Sequence, residues 1–344
     1  MFVGCRSECC RERVRPSRRI VVLLLGVTWM TGVVVPSARG QASLQRFEYR
    51  QTRMGMAVRV VLYAPSDSTA RRTGHAAFRK MADLEAILSS YRDSSELNRL
   101  SRRAGTGPVS VSEPLFTVLR HAQRLARQSD GAFDATAGPL LDLWAAARRS
   151  ERLPDSSALR RAAARVGWQH VRLNEERRTV QLEADSMQLN VGGIAKGFIL
   201  DRALDTLSAE GISRAMIEAG GDLVMSGPPP GEDGWRVRLS GADPEDGSAR
   251  TLRLQHAAVS TSGDTEQFVV IDGTRYSHVV DPRTGIGLTH RLLVTVVADR
   301  GVTADGLATT VGVLGAEGGS SFLDTHHPDA TAYIRRPDSV RTAD

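Results

Sequence analysis

Two lysines stand in this 344-residue chain against 43 arginines. Where arginine is the default cation, a lysine marks a place for a compact ammonium that a planar guanidinium cannot imitate. Lys196 sits in Asn190-Val191-Gly192-Gly193-Ile194-Ala195-Lys196-Gly197, a glycine-rich turn that opens a helix. Gly192 and Gly193 let backbone approach a ligand closely. The helix start offers free N–H groups and the positive end of a dipole. With Lys196 added, the pattern fits phosphate. The same residues would equally make a tight strand-to-helix turn with a solvated lysine. It is not a Walker A loop, because the four-residue spacer and the Ser/Thr after the lysine are missing. Lys80 lies on a helical pattern as a solvated surface charge.

A second pair is Asp305 and Thr309, spaced i and i+4 so that both oxygens leave one helix face. Carboxylate plus hydroxyl is a hard-oxygen pair suited to Mg²⁺ rather than zinc. Asp305 could instead simply complement the dipole at the helix start. Third, a strand delivers His278 to the turn Asp281-Pro282-Arg283-Thr284, whose residues have type I turn chemistry. His278 could act as a general base, since histidine titrates near neutrality, or it could be a hydrogen-bonded residue of a well-formed hairpin. Gly220-Gly221-Asp222, Thr261-Ser262-Gly263-Asp264 and the stretch from Gly131 to Pro139, which holds Ala132, Phe133 and Asp134, add small-residue turns with carboxylates. Tyr91 could stack on a flat ring or merely pack.

These residues need elements to hold them. Residues 47–63 alternate and are rich in Val and Tyr, which predicts one or two strands broken at Met54-Gly55. Apolar residues at spacings of three and four predict a helix over 66–90, followed by a polar loop over 91–98. Further helices are expected over 112–128, 154–166, 194–210 and 303–314. A hairpin is expected across Asn174-Glu175, short strands flank Gly220-Gly221, and a run of strands fills 235–297. Strand 330–335 comes last. Helices interspersed with antiparallel hairpins define an α+β fold.

Composition narrows the function. Residues 1–42 carry seven arginines against Glu8 and Glu12, so most of the formal charge of +6 belongs to them and the remainder is near +1. That balance removes the case for nucleic-acid binding. An Arg-rich stretch, an apolar run over 20–35 and a small-residue site near Ala42 read as an export signal, with Arg18-Arg19 resembling a twin-arginine motif. An uncleaved membrane anchor is the other reading, for which the run is short. Residues 43–340 are then expected as one domain. Cys5, Cys9 and Cys10 all precede the apolar run, so a cleaved chain has no disulfide or thiolate site.

Taken in order, the segments resemble the ApbE family of FAD:protein FMN transferases from about Met54 to Gly315. The matching pieces include Met54-Gly55, Ser90-Tyr91, the 131–140 stretch, Gly192 to Gly197, Ala219 to Asp222, Thr261 to Gly263, His278 to Gly285, and Asp305 with Ala308-Thr309. The resemblance implies that Met54, Tyr91, Ala132, Phe133, Asp134, Asn190, Lys196, His278 and Ala308 bind FAD. It implies that Asp305, Thr309 and the Gly193 carbonyl hold Mg²⁺, with Lys196, His278 and Asp305 carrying the chemistry. An acceptor hydroxyl would attack the FMN phosphorus and AMP would leave, the acceptors being flavin-carrying subunits of membrane redox complexes. Asn190 stands where the family commonly has Asp. Two other uses of the same pocket are an Mg²⁺-dependent FAD pyrophosphatase and an exported protein that only holds FAD.

Overall fold

The computed structural model describes residues 43–239, 250–263 and 268–335. The expected export signal, the three cysteines and Asp264 lie outside the described residues, as does the end of the expected domain. Among the described residues no helix is long and apolar enough to cross a membrane.

The chain opens with hairpin β1 (Gln45–Arg53) and β2 (Met56–Ala64) around the Met54-Gly55 turn, where Met54 takes φ +52. Then come α1 (Asp67–Leu88), α2 (Glu96–Ser101), β3 (Val109–Ser110), α3 (Glu113–Gln128), α4 (Gly138–Ser150) and α5 (Ser156–Ala163). Hairpin β4 (Val171–Asn174) and β5 (Thr179–Leu182) precedes α6 (Ala195–Ala209), β6 (Ala215–Ala219) and β7 (Asp222–Met225). The second half holds β8 (Trp235–Arg238), β9 (Thr251–Leu254), β10 (Ala257–Gly263), β11 (Phe268–Ile271), β12 (Thr274–Ser277), β13 (Val280–Asp281), β14 (Ile286–Gly287), β15 (Leu293–Ala298), α7 (Gly301–His326) and β16 (Thr331–Arg335).

Seven strands form one antiparallel sheet in the order β1-β2-β6-β7-β10-β15-β16. This is the expected α+β class. Helices α1, α6 and α7 pack together over one face. Val58, Val60 and Leu62 of β2 point into that main core, while Val61 points to the other face with Met216, Met225, Val259 and Trp235. Alternation along β2 puts neighbouring residues on opposite faces, so this strand is buried on both sides and reads as a nearly unbroken apolar run. Trp235 of hairpin β8–β9 closes the second face and donates its indole N–H to the Gly227 carbonyl at 3.0 Å.

Helix starts follow their caps. Ser66, Ser95 and Ser112 accept N–H groups of the first turns of α1, α2 and α3, and Asp155 does so for α5. The loop expected over 91–98 holds to Ser95, and helix α2 takes over from Glu96: Leu97 and Leu100 are buried, and six residues are too few to show a period. Helix α7 runs to His326 instead of stopping at Leu314, with a break at Gly315 (φ +77). Its glycine-rich second half has poor helix propensity but buries Phe322 and Leu323. Pairing registers Val58 to Ala219, Leu223 to Val259 and Gly263 to Leu293 bring the Met54-Gly55 turn, the Gly220-Gly221 turn and the end of β10 to one end of the sheet.

Candidate active site

The start of α6 faces the middle of α7. Lys196 Nζ lies 2.7 Å from Asp222 Oδ2, and Asp222 follows the Gly220-Gly221 turn at the head of β7. The Asp222 carboxylate is buried, and its other oxygen accepts the Ser260 hydroxyl at 2.9 Å and the Thr261 N–H at 3.3 Å. Asp305 Oδ2 accepts the Gly197 N–H at 2.9 Å. Thr309, one turn further along α7, donates its hydroxyl to the Gly193 carbonyl at 3.3 Å. Four residues expected to act together, Gly193, Lys196, Asp305 and Thr309, therefore surround one spot.

The glycines here serve neighbouring protein atoms. A Cβ on Gly193 would sit 2.9 Å from Thr309 Oγ1, and one on Gly197 would sit 2.0 Å from the Gly301 carbonyl oxygen. Absent side chains thus let α7 lie against α6 and bring the Thr309 hydroxyl to the loop carbonyl. At the helix start, the anion that meets the Gly197 N–H is the protein's own Asp305.

Electrostatics make this spot short of cations. Burial pushes the Asp305 carboxyl up to about 7, the Asp222 carboxylate adds to that rise, and Lys196 opposes it. Burial likewise raises Asp222 against the pull of Lys196. For Lys196, burial pushes the ammonium down, but Asp222 and Asp305 outweigh it and leave it above its ordinary value. Two carboxylates share one ammonium. A cation placed beside Asp305 would favour its ionised form. Gly193 O, Asp305 and Thr309 supply only hard oxygens, the donor set Mg²⁺ prefers. Among the described residues no group of three or more His, Cys, Asp or Glu could hold a metal.

The other expected residues fall in separate clusters. The 131–137 and 188–192 stretches run side by side: Asn190 donates its N–H to the Ala135 carbonyl at 2.7 Å, and Ala137 bridges Gln188. Ala132 and Phe133 are buried. The Asp134 carboxylate is filled by Thr136 N–H and hydroxyl, both at 2.7 Å, and by Trp168 N–H at 2.9 Å. Burial raises its pKa against those bonds. These side chains build the loop, and what the loop can offer a ligand is backbone. Asn190 Oδ1 accepts the Gly192 N–H at 2.8 Å, a bond an aspartate would make equally, so the turn survives the Asp-to-Asn difference.

The second group centres on Glu85. Its carboxylate accepts the Met54 N–H and an Arg92 N–H, each at 3.2 Å. Met54 and the Tyr91 loop are thereby tied to one side chain. The Tyr91 ring is 96% exposed, a free face for stacking. Beside it opens a cavity of about 760 Å³ lined by Ser90, Asn98, Asp142, Met187 and Gln188, among others. His278 is half-buried and lies in the link between β12 and β13 rather than in a strand, with its neighbours pinned on both sides: Ser277 N–H donates to Leu288 O at 2.8 Å, and Leu288 N–H to Val279 O at 2.9 Å. Trp144 backs this hairpin, donating to Gly285 O at 2.8 Å and lying 5.0 Å from the Tyr276 ring. Asp281 spends its oxygens on Arg283, at 2.9 and 2.8 Å. Ala308 is fully buried within α7.

The ApbE family's model matches residues 54–334 of this chain. The chain belongs to the ApbE family. It is 32% identical over 341 residues to the FAD:protein FMN transferase of Treponema pallidum, covering 91% of this chain and 92% of that protein. It is 30% identical over 269 residues to the Vibrio cholerae FAD:protein FMN transferase, covering 76% of this chain and 79% of that one. The structure of Pseudomonas stutzeri flavinyl transferase ApbE in its apo form superposes with a TM-score of 0.77 at 28% identity, covering 86% and 93% of the two chains.

Within this ApbE-family chain, sequence reasoning passed over three residues that hold the site. Asp222 was read only as part of a small turn, yet it is the direct partner of Lys196. Glu85 lies on α1 as one acidic residue among many, and only the fold reveals its two partners. Asp201 on α6 accepts the Gly301 N–H at 2.7 Å and the Val302 N–H at 3.0 Å. Its signal was legible in outline, since an aspartate buried among Ile199, Leu200 and Ala203 needs partners.

Proposed function

We propose that this protein transfers FMN from FAD to a serine or threonine hydroxyl of an acceptor protein and releases AMP. The observation that carries the proposal is the convergence of Lys196, Asp222, Asp305, Thr309 and the Gly193 carbonyl at one spot. A diphosphate is the ligand such a spot fits. Lys196 meets it as a point charge, and Asp222 holds the ammonium in place. Asp305, Thr309 and Gly193 O would hold Mg²⁺, which supplies charge neutralisation at the diphosphate oxygens.

The reaction balances simply. The acceptor oxygen bonds to the FMN phosphorus, the bond from that phosphorus to the bridging oxygen breaks, and AMP leaves with the bridging oxygen. The hydroxyl proton is lost to a base, for which His278 is the candidate the sequence offers. Positioning and charge stabilisation do most of the work in such a transfer. The exposed Tyr91 ring, tied through Glu85 to Met54, suits one face of the flavin, and the backbone of 132–134 and Asn190 suits the rest of the FAD.

We further infer that the protein acts outside the cytoplasm, in the periplasm, on flavin-carrying subunits of membrane redox complexes. The Arg-rich, apolar leader supports export, and N-terminal sequencing of the protein from the cell envelope tests it. To test the reaction, the protein is incubated with FAD, Mg²⁺ and a candidate acceptor, and gel fluorescence follows the flavin. Flavin on the acceptor band with one AMP released per label is expected. Free FMN and AMP with every acceptor left unlabelled would point to the pyrophosphatase instead.

A further inference from the structure

We propose that Asp201 is a positioning residue for the reacting centre: from α6 it grips the first turn of α7 and so fixes how far Asp305 and Thr309 stand from Lys196. The inference rests on reading that centre as a cation and diphosphate site.

Helix α7 lacks a cap of its own. Arg300, at its N-cap position, makes no side-chain cap hydrogen bond. The free N–H groups of Gly301 and Val302 go instead to Asp201, at 2.7 and 3.0 Å, from a different helix. Asp201 is only 4% exposed, and burial raises its carboxyl against the pull of those two bonds and of Arg300. A serine at position 300 would cap α7 without burying a carboxylate. Placing the cap on α6 does something a local cap cannot, because it locks the two helices to each other.

The lock continues towards the centre. Arg300 reaches back to α6 with Nε 3.5 Å from Asp201, and its terminal nitrogens pair with Asp205 at 3.1 and 2.9 Å. One turn before Asp201, Gly197 touches Gly301 so closely that a Cβ at 197 would overlap the Gly301 carbonyl. The same Gly197 gives its N–H to Asp305. Lys196 is the next residue on α6, and Asp305 is one turn along α7 from Gly301. Any sliding of α7 against α6 therefore alters the lysine-to-carboxylate separation directly. Supporting residues of this kind hold a site to within fractions of an ångström.

The test compares wild type, Asp201→Asn and Leu207→Ala. Leu207 is fully buried on α6, six residues past Asp201 and outside the bonds to Gly301, Val302 and Arg300, so its truncation loosens the same helix while leaving those bonds in place. Mn²⁺ affinity is read by electron paramagnetic resonance with FAD present, FAD affinity by flavin fluorescence in EDTA, and stability by melting. Asp201→Asn is expected to weaken Mn²⁺ about tenfold, the scale on which outer partners of metal ligands act, and to change FAD affinity in EDTA by less than about twofold. Leu207→Ala is expected to melt lower with Mn²⁺ affinity within about twofold of wild type. Unchanged Mn²⁺ affinity in Asp201→Asn, or an equal loss in Leu207→Ala, overturns the positioning role. Should Asp201→Asn fail to fold, Asp205→Ala, which unlatches Arg300 and loses a looser 3.9 Å pairing with Arg202, is expected to weaken Mn²⁺ about threefold, and no change there overturns the role as well. Wild type that binds no Mn²⁺ removes the cation reading itself, and this inference with it.

Discussion

The Asp305 carboxylate and the Gly197 N–H meet at 2.9 Å across the α6–α7 crossing, placing a buried acid against the residue that follows the partly buried Lys196. The carboxyl is raised to about 7 by burial first and by Asp222 second. A raised acid binds its proton more tightly in the folded chain than in the unfolded one, so its share of stability is present at low pH and drains away as pH climbs from about 4 through about 7. In EDTA, the melting temperature of wild type is expected to fall relative to Asp305→Asn across that range, and Mg²⁺ is expected to restore it. Melting curves for the two proteins that run parallel from pH 4 to pH 8 would contradict the assignment.

Lys196→Arg tests whether the site needs an ammonium or merely a positive charge. Nζ is 2.7 Å from Asp222 in a space that leaves the side chain only 21% exposed. A planar guanidinium is larger and directs its donors differently. AMP release from FAD is expected to drop at least about tenfold in kcat/KM, equivalent to about 1.4 kcal/mol of transition-state stabilisation. A rate within about twofold of wild type would show that charge alone suffices.

Gly197→Ala tests the crossing itself. The added Cβ would lie 2.0 Å from the Gly301 oxygen and 2.9 Å from Asp305 Cβ, both on a neighbouring helix. Relief requires α7 to move, and overpacking of this kind costs about 1–3 kcal/mol or more. Denaturant titration should register that loss. A variant as stable as wild type would mean the helices are less tightly apposed than described.

Glu85→Ala separates Met54 from the Tyr91 loop without touching either residue. Hydrogen bonds to a charged group contribute about 1.5–3 kcal/mol, and Glu85 makes two, at 3.2 Å each and partly exposed. An FAD dissociation constant raised about fivefold, in line with roughly 1 kcal/mol, is expected in fluorescence titration. No change would mean that the two residues do not form one flavin-facing unit.

The sequence made the local pieces legible and left the long-range ones hidden. The Met54-Gly55 break, the helix over 66–90 and the α6 start were all readable because each depends on neighbours within a few residues. Asp305 and Thr309 could be paired because i and i+4 share a helix face. That Lys196 has Asp222 as its partner was not readable, since their contact depends on β7 entering beside α6. The far half of α7 was missed because its glycines and serines carry no period, and only burial of Phe322 and Leu323 makes it a helix. The family resemblance put Asp134 among the FAD-binding residues, and in the structure its oxygens accept bonds from Thr136 and Trp168. A carboxylate in a tight turn serves the backbone as readily as it serves a ligand.

The most direct measurement is anomalous diffraction from crystals grown with FAD and Mn²⁺. The account predicts one Mn²⁺ peak at bonding distance from an Asp305 oxygen, the Thr309 hydroxyl and the Gly193 carbonyl, with the FAD diphosphate on its open side and Lys196 Nζ against the same phosphates. Bound FAD with no Mn²⁺ at those three oxygens, or with its diphosphate away from Lys196, would contradict it.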